Sequence, residues 1–520
     1  MNSPYASHRP VVMGAHGMVS TGHPIASSEA LRVLMDGGNA MDAALSAALV
    51  LAVVKSYHCG LGGDLFLLYY SAKDSQLHAL NGSGRSPLTL DRQHYRSGIP
   101  KRGILAAAVP GAVDGWMEAA QRFASRSIKQ LIQPSIEYAQ QGFPVYANLA
   151  RAIAGAAKEL GNDSQWRSIF LPQGRTPRVG ELLKQPDLAR SLMAIAEHGR
   201  DGFYRGPVAG AMLRTSERLG GCFTARDFSE HCSSWHEPVH AGFRGYEIFV
   251  PAPNSYGLLL LLQLKLLENC DLRALGHNSP QSVLLQLNLQ QRAAQDGARW
   301  IADPRAFDRT AMEAFLADYP RGRIVTLPPS SSVAGSDTTY ITSADRHGNW
   351  ASVIQSVHQG FGCGVIADDT GICLNNRMPG FNLMPGHPNE LAAGKYPAHT
   401  LSPAFVTKQG KPFMAIGTPG GMGQTQFLAQ LLVNLLDFGM DVQEAIEAPR
   451  WQSEQPGHVE LEERIGPAVT SLLQNNNYEV KTVGSWDHTM GGAEAILRDE
   501  NSGVFMAGAD PRRDGYAMGF

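Results

Sequence analysis

A threonine hydroxyl attacks a carbonyl only when a base sits beside it. One way to supply that base is to make the threonine the first residue of its chain, with its own α-amino group (pKa about 7.7–8) as proton acceptor. The junction Asp337-Thr338 has a sequence context suited to this chemistry. A stretch rich in Ser, Pro and Gly, Leu327 to Ser336, precedes it and reads as an exposed linker open to cleavage. The β-branched run Thr338 to Ala344 follows at once and reads as a strand. On these residues alone, an ordinary Ser-rich linker before a Thr-rich strand is the simpler reading. The second candidate is Gly417-Thr418-Pro419-Gly420-Gly421, ahead of a helical segment from about Gln424 to Phe438. Two glycines at a helix N-terminus offer backbone N–H groups and a favourable dipole to a developing oxyanion, although a plain glycine-rich turn is the simpler reading.

Other chemistries lack their residues. Ser83 in Asn81-Gly82-Ser83-Gly84-Arg85 misses the first glycine of a nucleophile elbow, and no phosphate-binding GxxxxGK[ST] loop occurs. No metal or other cofactor is implied, since a threonine, its α-amino group and backbone amides would supply nucleophile, base and oxyanion support. With 44 Lys+Arg against 47 Asp+Glu, the net charge of −3 leaves no basic footprint for nucleic acid or an anionic membrane. The longest apolar run, Ala43 to Val54, falls short of the ~20 residues a bilayer needs and reads as a buried helix. The polar N-terminus lacks the pattern of a secretory signal, so the expected compartment is the cytoplasm. Six cysteines without CxxC spacing argue against a disulfide framework and read mostly as small core residues.

The elements that must position these residues follow from patterning. Pro24 to Val54 reads as a helical pair, with Ser27 or Ser28 as cap and Gly37-Gly38 as the break. Cys59-Gly60-Leu61-Gly62-Gly63-Asp64 leads into a strand over Leu65–Tyr70. A second strand, Leu77–Leu80, makes a hairpin with it, read as lying at a sheet edge. Helical spacing dominates from Val109 to Ile301. Beyond the linker come a hairpin over Thr338–Val357, a strand at Gly371–Leu374, and two strands around Gln409-Gly410. The sum is a layered, sheet-centred architecture without internal repeats.

Taken together, Asp337-Thr338-Thr339-Tyr340, Asp345 to Asn349, Gly371 to Asn376, Leu401-Ser402-Pro403 and Gly417 to Gly421 resemble the small subunit of the γ-glutamyltransferase family of self-processing N-terminal-nucleophile hydrolases. The likeness continues upstream through Gly38 to Ala44, Gly60 to Phe66, Val109-Pro110-Gly111 and Phe243 to Tyr246. It implies an α+β fold, the four-layer αββα sandwich, and autocleavage between Asp337 and Thr338. Residues 1–337 would form a large subunit and 338–520 a small one, together one folded unit, with a dimer of such heterodimers left open. Thr338 would be the nucleophile and its freed amine the base. Gly420 and Gly421 would supply oxyanion amides, and Thr339 and Ser356 would orient the nucleophile.

The sequence leaves that pattern where the family holds a glutamyl group. The clamp arginine position reads Ser83, with Arg85 two places on; the ammonium-binding acid run reads Asn375-Asn376-Arg377; a Ser-Ser pair reads His399-Thr400; and His358 replaces a substrate-binding asparagine. Arg377, Arg85, His358, His399, Thr400 and Asn376 are therefore expected to line a pocket for a carboxylate, with no acid left for an α-ammonium. Structural or solvent-facing roles for Arg377 and the histidines are the competing reading. The expected substrate is a small anionic amide, oxamate first, as in the oxamate amidohydrolase branch of the family. A glutaryl-type acyl amide comes second and a γ-glutamyl peptide third, with hydrolysis rather than transfer in each case. A non-enzymatic alternative is an uncleaved binding scaffold.

Overall fold

The computed structural model describes residues 7–320 and 337–520. In chain order the strands of its two large sheets are β1 (Val12–Gly14), β2 (Gly17–Thr21), β3 (Asp64–Ser71), β4 (Gln76–Gly82), β5 (Ser234–His236), β6 (Val239–Phe243) and β7 (Tyr246–Val250). After the linker come β8 (Asp337–Asp345), β9 (Trp350–His358), β10 (Ala404–Lys408), β11 (Lys411–Gly417), β12 (Glu494–Arg498), β13 (Phe505–Ala509) and β14 (Tyr516–Gly519). One sheet runs β14-β2-β8-β9-β3-β4-β5 and the other β1-β13-β12-β11-β10-β7-β6, with every neighbouring pair antiparallel. Met18, Leu68, Trp350, Phe405, Ile496 and Phe505 fill the space between the sheets. Helices cover both outer faces, so the expected αββα sandwich is the observed fold.

Strand β3 shows why the sequence folds this way. Leu65, Leu67 and Tyr69 enter the core shared with the helices, while Phe66 and Leu68 face the opposite sheet. A strand buried on both faces reads as an unbroken apolar run. For the same reason β3 and β4 are not at an edge: β9 and β5 flank them. Helix α1 (Pro24–Met35) begins earlier than its serines suggest, because Pro24 presets the first turn and His23 Nδ1 accepts the Ile25 N–H at 3.3 Å. Ser27 lies inside the helix and ties it to the sheet by donating to the Tyr516 carbonyl at 2.7 Å. Helix α2 (Ala40–Val54) is buried along its whole length and is closed at its start by reciprocal Asn39–Asp42 bonds. On the other face, α3 (Gly257–Leu267) and α4 (Gln424–Leu436) contribute leucines to the second helix–sheet core.

Two expectations need correction. The middle of the chain is not purely helical. It supplies β5 to β7, whose two-residue Arg244-Gly245 turn, at φ 53° and 81°, is a hairpin signal that the surrounding helical spacing obscures. Only Cys59, Cys363 and Cys373 are buried; Cys222 and Cys270 are half-buried and Cys232 is exposed, all as free thiols. The linker residues 327–336 lie outside the described residues. Among those described, no helix is long and apolar enough to cross a membrane.

Candidate active site

Three side chains stand in a row across the centre of one sheet. Thr338 is the second residue of β8, and its Oγ1 donates to Ser356 Oγ on β9 at 3.2 Å. Ser356 is in register with Asp64 at the start of β3. Ser356 Oγ also accepts the His358 N–H at 2.7 Å, which fixes the hydroxyl beside Thr338. The chain passes through φ 82° at His358, an uncommon conformation for a residue with a Cβ and one that clusters at functional sites. Thr338 itself is 2% exposed.

The glycine loop reaches this row from the other sheet. The end of β11 lies flat on Tyr340, where a Cβ on Gly417 would stand 2.2 Å from the ring, so the two strands meet at a distance only glycine permits. Gly420 at φ 132° and Gly421 at φ 56° then turn the chain into α4. Backbone N–H groups ahead of a helix can support an oxyanion.

Tyr256, His358, Arg377, Pro379, Gly380, Ala398, Thr400, Gly421 and Met422 line a small cavity. It has about 20 Å³ of room for water, the space of about one or two molecules. Arg377 is 1% exposed. Its Nε donates to Asp64 Oδ2 at 3.2 Å and its Nη1 to Thr400 Oγ1 at 3.4 Å, while Nη2 has no hydrogen-bond partner among the described residues. His399 Nδ1 accepts the Leu401 N–H at 3.3 Å, which places the ring proton on Nε2, 3.1 Å from Asp64 Oδ2. Gly84 N–H holds Asp64 Oδ1 at 2.9 Å. Burial would push the Asp64 carboxyl up, but the His399 bond, the charges around it and Gly84 N–H outweigh it and hold the group below its ordinary value. Burial and then Arg377 depress both histidines, His399 to about 4 and His358 well below its ordinary value, so both rings are neutral at pH 7.

These contacts correct the sequence-based expectation at several positions. Arg377 is deeply buried, not solvent-facing, and Asp64 neutralises it, so the pocket is not the net cation that the substitutions suggest. Arg85 does not line the cavity; its guanidinium stacks on Tyr396, 4.7 Å from the ring centroid. Asn376 spends its side chain elsewhere, donating to the Lys101 carbonyl and Gln359 Oε1 and accepting from Gln359 N. Its backbone carbonyl is what meets His358 Nδ1, at 2.8 Å. Thr339 pairs with Gln355, whose amide turns toward α2 and Cys59, so Thr339 faces the helical layer, away from the Thr338–Ser356 bond. His399 acts behind the cavity, through Asp64. Asp64, which ends the glycine motif before β3, and Tyr256, Pro379, Gly380, Ala398 and Met422, which line the cavity, lie outside the sequence-based set.

The depressed histidines make a stability prediction. Burial is the leading cause in each case, and it holds His23 at about 3 and His231 and His399 at about 4, against 6.5 when exposed. Between pH 6.5 and 4 the unfolded chain takes up protons that the native fold refuses, so this stability is complete above 6.5 and is lost on acidification. His399 alone contributes on the order of 3 kcal/mol across that window. The urea midpoint is expected to fall markedly between about pH 7 and about pH 4.5; a flat profile would contradict the buried, neutral assignment.

Among the described residues, no cluster of His, Cys, Asp and Glu is arranged to hold a metal ion. The site holds a hydroxyl bonded to a second hydroxyl, a glycine turn ahead of a helix and a buried guanidinium with one unused donor. Comparisons with known proteins agree with the fold. The family described as Gamma-glutamyltranspeptidase matches residues 26–520. The chain is 37% identical to the glutathione hydrolase-like YwrD proenzyme of Bacillus subtilis (strain 168), covering 98% of this chain and 99% of that one. It is 32% identical to the oxamate amidohydrolase proenzyme of Klebsiella pneumoniae subsp. pneumoniae, with the same coverage of each. The crystal structure of cephalosporin acylase from Bacillus halodurans superposes with a TM-score of 0.91 at 32% identity, covering 100% of this chain and 98% of that one. The chain is an amide-hydrolysing enzyme and belongs to the gamma-glutamyltranspeptidase family.

Proposed function

We propose that this chain is the precursor of an N-terminal-threonine amidohydrolase that cleaves small amides carrying a carboxylate beside the scissile carbonyl, oxamate being the model substrate. Thr338 Oγ first attacks the Asp337 carbonyl. The acyl group shifts from nitrogen to oxygen, and water releases fragments 1–337 and 338–520. The fragments remain one unit because their strands interleave: β8 lies between β2 and β9, and β10 pairs with β7. In turnover the freed α-amino group takes the Thr338 hydroxyl proton as Oγ attacks the substrate carbonyl, and Gly420 and Gly421 N–H groups receive the oxyanion. Ammonia leaves with a proton from that amine, and water hydrolyses the oxalyl ester, so oxamate and water give oxalate and ammonia.

One observation carries the substrate reading: the Arg377 guanidinium, buried and with Nη2 unpaired, lines a very small cavity on which no described residue places a carboxylate. A buried cationic donor without an acceptor calls for an anionic ligand. An α-ammonium would find no acid there, because Asp64 is fully buried and already accepts from three donors. The likeness to a protein named oxamate amidohydrolase supports the reading. The likeness to a cephalosporin acylase favours a longer dicarboxylic acyl group as the second candidate. Ammonia release from oxamate, measured beside glutaryl- and γ-glutamyl-p-nitroanilide, tests it. The expected kcat/KM is at least about tenfold higher for oxamate, a difference of about 1.4 kcal/mol. Preference for either anilide would overturn the small-substrate assignment.

A further inference from the structure

We propose that Asp64 is a positioning residue that sets the charge selectivity of this site by fixing the Arg377 guanidinium; the inference rests on the anionic-amide reading above. Asp64 is 0% exposed and does not line the cavity, so it acts through another group. Its two oxygens receive three donors from three separate segments: Gly84 N–H, Arg377 Nε and His399 Nε2. With Nε held at Asp64 and Nη1 at Thr400, the guanidinium plane cannot rotate, and Nη2 remains the donor free for substrate. The register of β3 against β9 sets Asp64 opposite Ser356, the residue that holds Thr338. The hydroxyl that attacks and the cation that recognises the carboxylate are thus referred to adjacent residues of one sheet. The anchor also spans the self-cleavage point, since Asp64 belongs to fragment 1–337 and Arg377 and His399 to fragment 338–520.

The test compares oxamate with oxamide, its neutral isostere, in Asp64→Asn, Arg377→Met and the double variant, with the mass of the self-cleaved fragments as the check on folding. The side-chain amide introduced by Asp64→Asn still accepts from Gly84 N–H, but its other arm is an N–H₂ group facing donors that need an acceptor, which releases Arg377. The expected result is an oxamate-to-oxamide preference lowered at least about tenfold, with the loss carried by KM. The double variant should lose no more than Arg377→Met alone, because with Arg377 gone Asp64 has no guanidinium left to position. Equal losses on both substrates, or losses that multiply in the double variant, would overturn the proposal. If Asp64→Asn fails to self-cleave while the double variant does, its defect lies in the unpaired Arg377 charge, which supports the coupling. Failure of both would show that the fold, not Arg377, needs Asp64. A wild-type enzyme silent on oxamate and oxamide alike would reject the substrate reading beneath it.

Discussion

Thr338→Ala is expected to leave one 520-residue chain after expression, with neither the 337-residue nor the 183-residue fragment, 520 − 337 = 183, and with no ammonia release from oxamate. The loss should be at least about 10⁴-fold, the scale set by removing the nucleophile from hydrolases that use one hydroxyl for acyl transfer. The proposed mechanism assigns both reactions to the same Oγ, so cutting and turnover should vanish together. Misfolding does not account for this outcome. The substitution removes one hydrogen bond, the 3.2 Å contact to Ser356, with a net contribution of about 1 kcal/mol. Ser356 keeps the His358 N–H as a donor, so its hydroxyl is not orphaned. Thr338→Ser retains the hydroxyl and should still cut, more slowly, because serine lacks the methyl that restricts the χ1 rotamer of threonine. Intact-mass measurement of the three proteins separates the possibilities, and an alanine variant that still yields a fragment beginning at residue 338 would remove Thr338 from the mechanism.

The parts of this site that are legible in the sequence are those whose causes are local. The hairpin of β8 and β9 announces itself by β-branched alternation on either side of Asp345 to Asn349, and Gln409-Gly410, at φ 51° and 77°, turns where its residue types require. The Gly420-Gly421 turn before α4 is legible for the same reason. What stays hidden depends on partners far away in the chain. Asp64 and Arg377 are 313 residues apart, and nothing near either one reveals that they form a buried pair. Substitutions read one by one therefore show a cation gained and hide the anion that faces it. Thr339 illustrates a different cause. Strand alternation already sends neighbouring side chains to opposite faces, so two consecutive threonines cannot both serve the same site, and the irregular pairing between Asp337 and Thr339 does not change which face Thr339 presents. Proximity in sequence to motif residues suggests Arg85 and Asn376, but each finds a better partner elsewhere: the Tyr396 ring for one, and Gln359 with the Lys101 carbonyl for the other.

Arg377→Met should lower kcat/KM for oxamate by about 10²-fold or more, some 3 kcal/mol, and should abolish the preference for oxamate over oxamide. Two effects act in the same direction. The substrate carboxylate loses its charge-assisted donor in a buried site, where such bonds are strongest. It also meets the field of Asp64, which Arg377 no longer neutralises and which retains only His399 and Gly84 as donors. The second effect gives the variant its signature in stability. Without the guanidinium, Asp64 loses one of the groups that hold its folded-state pKa down and that pKa rises, so the variant is destabilised most at neutral pH and regains ground relative to wild type as Asp64 takes up a proton in acid. Urea midpoints of the two proteins should therefore converge as the pH falls. Arg377→Lys keeps a charge but not the planar fork, cannot satisfy Asp64 and the substrate together in the same geometry, and should recover only part of the loss. If Arg377→Met kept its oxamate turnover, the carboxylate would have to be held by Thr400 or Tyr256. Neutral donors discriminate poorly between an anion and its amide, so retained turnover together with retained charge preference is the result this geometry does not allow.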